Sequence, residues 1–119
     1  MKIHNFKELQ VWQKAMDLVV VLYKCTAQFP VEERFGLTSQ IRRAAVSVPS
    51  NIAEGAAAST QKHFGEYLQR SLGSTFELET DVIISQRLEY LSSEISTQIL
   101  EHITEIQKML TALIKKIKE

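Results

Sequence analysis

Apolar residues recur along this chain at intervals of three and four, with little of the strict alternation that strands show. Only four glycines and two prolines interrupt the pattern. Such spacing places apolar side chains along one face of a helix. The sequence therefore predicts an all-α fold with four helices.

The first predicted helix begins at a capping box formed by Asn5 and Glu8 and ends near Phe29 and Pro30. Its apolar face is predicted to hold Leu9, Trp12, Ala15, Met16, Val19, Leu22 and Tyr23.

The second helix follows a short polar connection that ends at Gly36, and Thr38 is its predicted cap. Its predicted apolar face consists of Ile41, Ala45, Val48, Ile52 and Ala56. Pro49 lies inside the helix and removes one backbone hydrogen bond, which predicts a kink there.

Helix three is expected to start at Ser59 or Thr60 and to run to about Leu91, and Ser92 or Ser93 caps helix four. The predicted apolar face of helix three holds Phe64, Leu68, Leu72, Thr75, Leu78 or Glu79, Val82 and Leu88. That of helix four holds Ile95, Ile99, Ile103, Ile106, Leu110, Leu113 and Ile117. Short connections and a crossing angle of about 20° favour an antiparallel up-down-up-down four-helix bundle, a single domain over residues 1–119.

Composition argues against some classes of protein, such as strongly basic nucleic-acid binders and membrane-spanning proteins, but does not indicate a function. Fourteen Lys and Arg balance fourteen Asp and Glu, so the formal net charge is zero and no general basic excess favours nucleic acid. The longest apolar run, Leu18 to Tyr23, is too short to span a membrane. One cysteine, Cys25, and no apolar N-terminal run favour a cytoplasmic location.

Motifs for catalysis or cofactors are missing from the sequence. It has no Glu-x-x-His pair for a metal in a bundle core, no Gly-x-Ser-x-Gly and no glycine-rich phosphate loop. We therefore expect neither an enzyme nor a cofactor. An enzyme that uses Glu54 and His63 is the weakest alternative, because no motif supports it.

Helix two carries the densest polar cluster, and four of its members, spaced by four, four and three residues, share one helix face. Glu77 and Asp81 on helix three are expected to accept a guanidinium from this cluster across the helix interface. One interpretation is a pocket for an anion or a peptide. The favoured one is a buried network that sets helix register or a subunit contact. The cluster consists of Arg42, Arg43, Ser47, Ser50, Asn51 and Glu54, and Arg43, Ser47, Asn51 and Glu54 share the face.

Small residues end helix two at Gly55 and interrupt helix three at Gly65, Gly73 and Ser74. A glycine within a helix costs about 0.5–1 kcal/mol relative to alanine. Close approach of a second helix, from the same chain or another, is the expected compensation.

Lysines gather at the end of helix four, at Lys108, Lys115, Lys116 and Lys118. The favoured interpretation is stabilisation of the helix C-terminus, since cations interact well with its dipole. The alternative is a nucleic-acid contact, which several copies in an oligomer would strengthen.

Three segments resemble the family of four-helix bundle proteins encoded within intervening sequences of bacterial 23S rRNA genes. They are Asn5 to Ala15, Phe35 to Gly55, and Gly73-Ser74 followed by Glu77 to Glu79. The resemblance implies a left-handed bundle, a homopentamer with a central channel and no established catalytic activity. The matching motif residues, with an expected structural or subunit-contact role, are Arg42, Arg43, Ser47, Pro49, Ser50, Asn51, Glu54, Gly55, Gly73, Ser74, Glu77 and Glu79.

The family is similar in fold to the accessory protein of diversity-generating retroelements, which works with a reverse transcriptase and binds nucleic acid through a basic surface. This chain departs from that relative by its zero net charge. The expected function is a non-enzymatic, oligomeric interaction or scaffold protein, and the alternative is a nucleic-acid-binding accessory protein.

Overall fold

The computed structural model describes residues 5–118 and contains four α-helices. They are α1 (Gln10–Thr26), α2 (Leu37–Ala56), α3 (Gln61–Arg87) and α4 (Ser93–Lys118). Short 3-10 turns at Phe6–Glu8 and Val31–Glu33 precede α1 and α2. No strand occurs in this part of the chain, and the all-α prediction is confirmed.

Consecutive helices pack against each other, and α4 returns to pack against α1. Contacts at both ends show that α2 and α3 are antiparallel. Tyr90, which follows α3, donates a 3.0 Å hydrogen bond to Glu33, which precedes α2. At the opposite end, Gly55 of α2 lies against Phe64 of α3. The four helices form the predicted up-down-up-down bundle, about 43 Å long.

The apolar faces of α2 and α4 supply much of the core. Four of the five predicted positions on α2 are buried and Ala56 is half-buried. On α4 the buried face begins at Ser96, so Ile95 is exposed, and Ile114 is buried where Leu113 was expected. The spacing of isoleucines alone does not reveal that a serine faces the core. The buried residues of α4 are Ser96, Ile99, Ile103, Ile106, Leu110, Ile114 and Ile117.

The predicted apolar face of α1 was right in part: Ala15 and Leu22 are buried, and Leu9, Trp12 and Val19 pack against the core. Val11 and Leu18 are buried, whereas Met16 and Tyr23 are exposed. The error has a physical origin, because apolar residues on α1 extend beyond the face that packs on the core. Likewise, Leu88 at the end of α3 is exposed.

Two predicted helix starts were wrong. Asn5 caps the first 3-10 turn by accepting from the Lys7 backbone N–H, and α1 begins only at Gln10. Thr38 does not cap α2. Instead, Glu33 from the preceding turn accepts a 3.1 Å bond from the Leu37 N–H. Both differences have the same cause, which is a 3-10 turn before the helix. Asn5 caps the turn that precedes α1, and Glu33, within the turn that precedes α2, caps α2.

The caps of the last two helices match the sequence. Thr60 accepts from the His63 N–H and Ser92 from the Ile95 N–H, each at 3.1 Å. Helix α1 ends at Thr26, three residues before Phe29, because the backbone tightens into 3-10 bonds there. Helix α3 ends at Arg87, before the predicted Leu91.

Pro49 is buried inside α2, which continues past it to Ala56. The Ser71 hydroxyl of α3 donates a 2.8 Å bond to the carbonyl of Val48 beside it. The kink at Pro49 and the left-handed supercoil stay predictions.

Candidate interaction surface

Hydroxyl and amide groups join α2 to α3 halfway along the bundle. The Ser47 and Ser74 hydroxyls are 2.8 Å apart, and Asn51 donates 2.9 Å bonds to both the hydroxyl and the carbonyl of Ser47. All three side chains are half-buried. Because these bonds need one alignment of the two helices, they fix the register of the α2–α3 pair.

Three other polar residues of the helix-two motif lie on the surface. Arg43, Ser50 and Glu54 are exposed, and so is Glu77 on α3. Glu79 faces α4 instead, where it accepts a 2.9 Å bond from Gln107.

The expected ion pair between Arg42 or Arg43 and Glu77 or Asp81 was wrong. Within residues 5–118 the ion pair that forms is Lys14–Glu105, at 2.9 Å. Arg43 and Glu77 line one small cleft of about 260 Å³ without pairing. The two arginines are one residue apart, so they project about 100° apart around α2, and Arg42 turns toward α1.

Arg42 ties α2 to the C-terminus of α1. Its Nε donates to the Thr26 hydroxyl at 2.9 Å, and its Nη2 donates to the carbonyl of Tyr23 at 3.2 Å. The guanidinium also lies 4.5 Å from the centroid of the Tyr23 ring. It therefore gives the Tyr23 carbonyl, which already accepts from the Ala27 N–H, a second hydrogen bond and makes a cation–π contact.

Beside this contact lies a concavity on α1, α2 and the connection between them, which we call the arginine cleft. Its volume is about 730 Å³ and its lining includes three arginines and no carboxylate. Phe35 at its rim is 87% exposed, with the Arg34 guanidinium 5.2 Å from its ring centroid. The lining residues are Tyr23, Arg34, Phe35, Thr38, Ser39, Arg42, Arg43, Val46 and Ser47.

Sequence reasoning missed Arg34, Phe35 and Tyr23 as members of a surface site. Arg34 and Phe35 lie in the connection before α2, and Tyr23 was assigned to the core. The sequence did contain one signal for this site. Phe35 is an aromatic residue next to Arg34 in a polar connection, outside the helical spacing of apolar residues.

Asp81 is a buried carboxyl without a compensating charge. It is 5% exposed, and its Oδ2 has no hydrogen-bond partner among the described residues. Burial raises the pKa of Asp81 above its usual range, and the negative charge of Glu77 raises it further.

Gly55 is the glycine at which two helices approach closely. A Cβ there would lie 2.8 Å from Tyr67 Cβ and 2.9 Å from Phe64 Cδ1. At Gly65 and Gly73, by contrast, a Cβ would meet no described atom within 4 Å. At these two positions the expected close approach is therefore not made by a described helix of the same chain.

Lysines of α4 lie on the surface. Lys108, Lys115, Lys116 and Lys118 are all exposed. Lys118 and Lys62 of α3 line one groove of about 410 Å³, where the end of α4 meets the start of α3.

Residues 5–118 contain no group of three or more His, Cys, Asp and Glu that could hold a metal ion. His63 is exposed, whereas His102 lies 3.0 Å from the carbonyl of Lys14. His4 lies outside the described residues. Cys25 is half-buried and burial raises the pKa of its thiol. Over the same range, no helix combines the length and apolar character that crossing a membrane requires.

Comparisons with known proteins agree with the fold. One matching solved structure is a protein with unknown function from the S23 ribosomal protein family of Bacteroides thetaiotaomicron. It shares 29% identity and a TM-score of 0.80, over 88% of this chain and 98% of that one. No curated protein matches. The sequence profile of the 23S rRNA-intervening sequence proteins matches residues 7–112, nearly the whole chain. The chain therefore belongs to the family of 23S rRNA-intervening sequence proteins.

Proposed function

We propose that this protein is a non-enzymatic interaction protein that works as a homo-oligomer, a pentamer as the family resemblance implies. The observation that carries the proposal is the arginine cleft. There, exposed Phe35, Tyr23 and Val46 lie beside three guanidinium groups on the outer surface of α1 and α2.

Aromatic residues and arginines are the residue types that most often dominate the binding energy of protein interfaces. Phe35 gains little from its own bundle, since most of its ring contacts solvent. Burial of that ring against a partner would remove it from water and contribute hydrophobic free energy that the single chain does not gain.

The apolar surface continues from the cleft along α1. Met16, Val20 and Tyr23 are spaced by four and three residues, which places them on one helix face, and all three are exposed. A contiguous apolar patch of this kind supports a protein contact, because monomeric soluble proteins rarely leave one uncovered.

The open glycines on α3 also support assembly. Gly65 and Gly73 weaken the helix without allowing any close contact inside the bundle. Close packing of a helix from another copy would explain why glycine stands at these two positions, which no contact within the single chain explains.

Size-exclusion chromatography with light scattering, at micromolar chain concentration, tests the proposal. We expect a mass of several times the 13.6 kDa of one chain. A single-chain mass at every concentration would refute it. Phe35→Asp should lower the mass, and Val31→Asp, an equally exposed position in the same connection, should not.

Nucleic-acid binding is the second candidate, and the groove shared by Lys62 and Lys118 favours it. Glu66 also lines this groove, but Lys115 and Lys116 are exposed in the last turns of α4, so a phosphate backbone would meet up to four cations. Binding to structured RNA or duplex DNA should weaken steeply with salt. Replacement of Lys115, Lys116 and Lys118 by Ala should flatten that salt dependence, and no gel shift at low salt would exclude this function.

A further inference from the structure

We infer that the arginine cleft receives the acidic face of α4 from a second copy of this chain, so that the copies contact each other head to tail. The inference rests on the proposed oligomer and adds the identity of the two surfaces.

The cleft has the chemistry of a carboxylate receptor. Arg34 and Arg43 are exposed at its edges, and no ion pair occupies either of them within residues 5–118. Arg42 contributes a third positive charge from the wall. Guanidinium groups bind carboxylates through paired hydrogen bonds, and no acidic residue of the same chain lines this cleft to provide them.

A matching acidic surface lies on the first half of α4. Glu94 and Glu101 are exposed there, and α4 contains no lysine or arginine before Lys108. Glu105 adds a third carboxylate, which already pairs with Lys14. Lys108 also lines this surface, toward the end of α4, so Glu94 and Glu101 give it the charge sign opposite to that of the arginine cleft, although the chain as a whole is neutral.

The acidic surface also has a shape that suits an aromatic ring. A shallow groove of about 540 Å³ runs along it, with Leu100 as its apolar member. The exposed Phe35 ring is the side chain best placed to enter such a groove, because it projects from the connection before α2. The groove is lined by Thr97, Leu100, Glu101, Thr104, Glu105 and Lys108.

The two surfaces have no residue in common, so the contact is heterologous. A heterologous contact leaves one free surface of each kind on every pair, and repetition therefore gives a closed ring or a filament rather than a dimer. A ring of identical contacts is the closed form.

Single-stranded nucleic acid is another ligand for aromatic and arginine side chains. A second copy fits better, because Val46 in the cleft and Met16 and Val20 along α1 continue the surface with apolar side chains. These give a protein partner apolar contact but offer nothing to a phosphate backbone.

A mixing experiment tests the inference by native mass spectrometry. Phe35→Asp disables the cleft and Glu101→Arg disables the acidic face. Both positions are exposed, so each variant should keep the helical circular dichroism of the natural chain. We expect each variant alone to raise the dissociation constant about 30-fold or more, the effect of losing an interface hot spot. An equimolar mixture should form a species of two chains and nothing larger, since one intact contact remains.

Control variants separate this result from a general effect of charge. Val31→Asp and Glu66→Arg change exposed residues outside both surfaces and should assemble like the natural chain. Combining Arg43→Glu with Glu101→Arg in one chain should restore part of the assembly, because the opposite charges face each other again.

Three results would overturn the inference. If the natural chain assembles and Glu101→Arg assembles equally well, the acidic face of α4 is not the occupant of the cleft, although the proposed function stands. If the natural chain is a single chain, the proposed function fails as well. If a short oligouridylate binds the natural chain but not Phe35→Asp, and assembly is unchanged, the cleft is a nucleic-acid site.

Discussion

The guanidinium of Arg42 lies 4.5 Å from the centroid of the Tyr23 ring and joins α2 to α1, away from the carboxylates of α3. The same side chain donates to the carbonyl of Tyr23 and to the hydroxyl of Thr26. Its neighbour Arg43 is exposed. Two adjacent arginines in the motif therefore have different roles: one holds the bundle together and the other faces outward.

Substitution of these two arginines should have unequal effects on stability. Arg42→Ala loses the cation–π contact and both hydrogen bonds to the end of α1, and we expect it to lower the free energy of unfolding by about 1–2 kcal/mol. Arg43→Ala should change it by no more than about 0.5 kcal/mol, as is usual for exposed sites. Urea unfolding in the Phe35→Asp background, at a chain concentration where this weakly assembling variant is a single chain, measures both. Equal losses would contradict the assignment.

Alanine at Gly55 and at Gly73 should have opposite effects. The new Cβ at position 55 would lie 2.8 Å from Tyr67 Cβ and force α2 and α3 apart, at a cost of about 1–3 kcal/mol. At position 73 it meets nothing within 4 Å, so the higher helix propensity of alanine should stabilise the bundle by about 0.5–1 kcal/mol. Urea unfolding in the same background tests this pair. A loss at position 73 would reveal a close contact there inside the bundle.

Asp81→Asn should stabilise the protein at neutral pH. The pKa of Asp81 is raised by burial and by Glu77, so the folded state favours the protonated carboxyl. The protonated carboxyl contributes its full stabilisation of the folded state below the unfolded-state pKa of about 3.9. This stabilisation is lost as pH rises through the folded-state pKa of Asp81. The variant should therefore unfold at a higher temperature than the natural chain near pH 7, and the difference should vanish near pH 3.

Thermal melts across this pH range are the measurement, with Glu77→Gln as the control. Because Glu77 is the second cause of the raised Asp81 pKa, that variant should give a smaller gain near pH 7. A loss of stability in Asp81→Asn at pH 7 would mean that the carboxylate is ionised and paired.

Glu89→Gly should stabilise the end of α3. Glu89 has a φ of 65°, a left-handed conformation that glycine adopts without steric cost. The bonds from Glu89 N–H to Gln86 and from Tyr90 N–H to Ser85 form the helix-ending motif in which glycine is preferred. We expect a gain of about 1 kcal/mol in urea unfolding. Glu89→Ala, which removes the charge but keeps the Cβ, should show no such gain.

The spacing of apolar residues at intervals of three and four predicted the four helices and most of the core faces of α2 and α4. It succeeded there because each helix presents one narrow apolar stripe. It was only partly right on α1, where Met16 and Tyr23 extend the apolar face onto the surface. The spacing shows where apolar residues recur along a helix, but packing against neighbouring helices determines which of them are buried.

The capping and pairing of polar groups were harder to predict because they depend on partners from other segments. Glu33 takes the role expected of Thr38, and Arg42 binds α1 where a bond to α3 was expected. The arginine cleft was missed for a related reason. Tyr23 comes from α1, whereas Arg34 and Phe35 come from the connection before α2, and only the fold brings them together.

The most direct test of the account is the native mass of the natural chain at micromolar concentration in volatile buffer. We predict an assembly of five copies, five times the 13.6 kDa of one chain, that dissociates on dilution. A spectrum that contains only the single-chain mass across the whole concentration range would contradict the central claim.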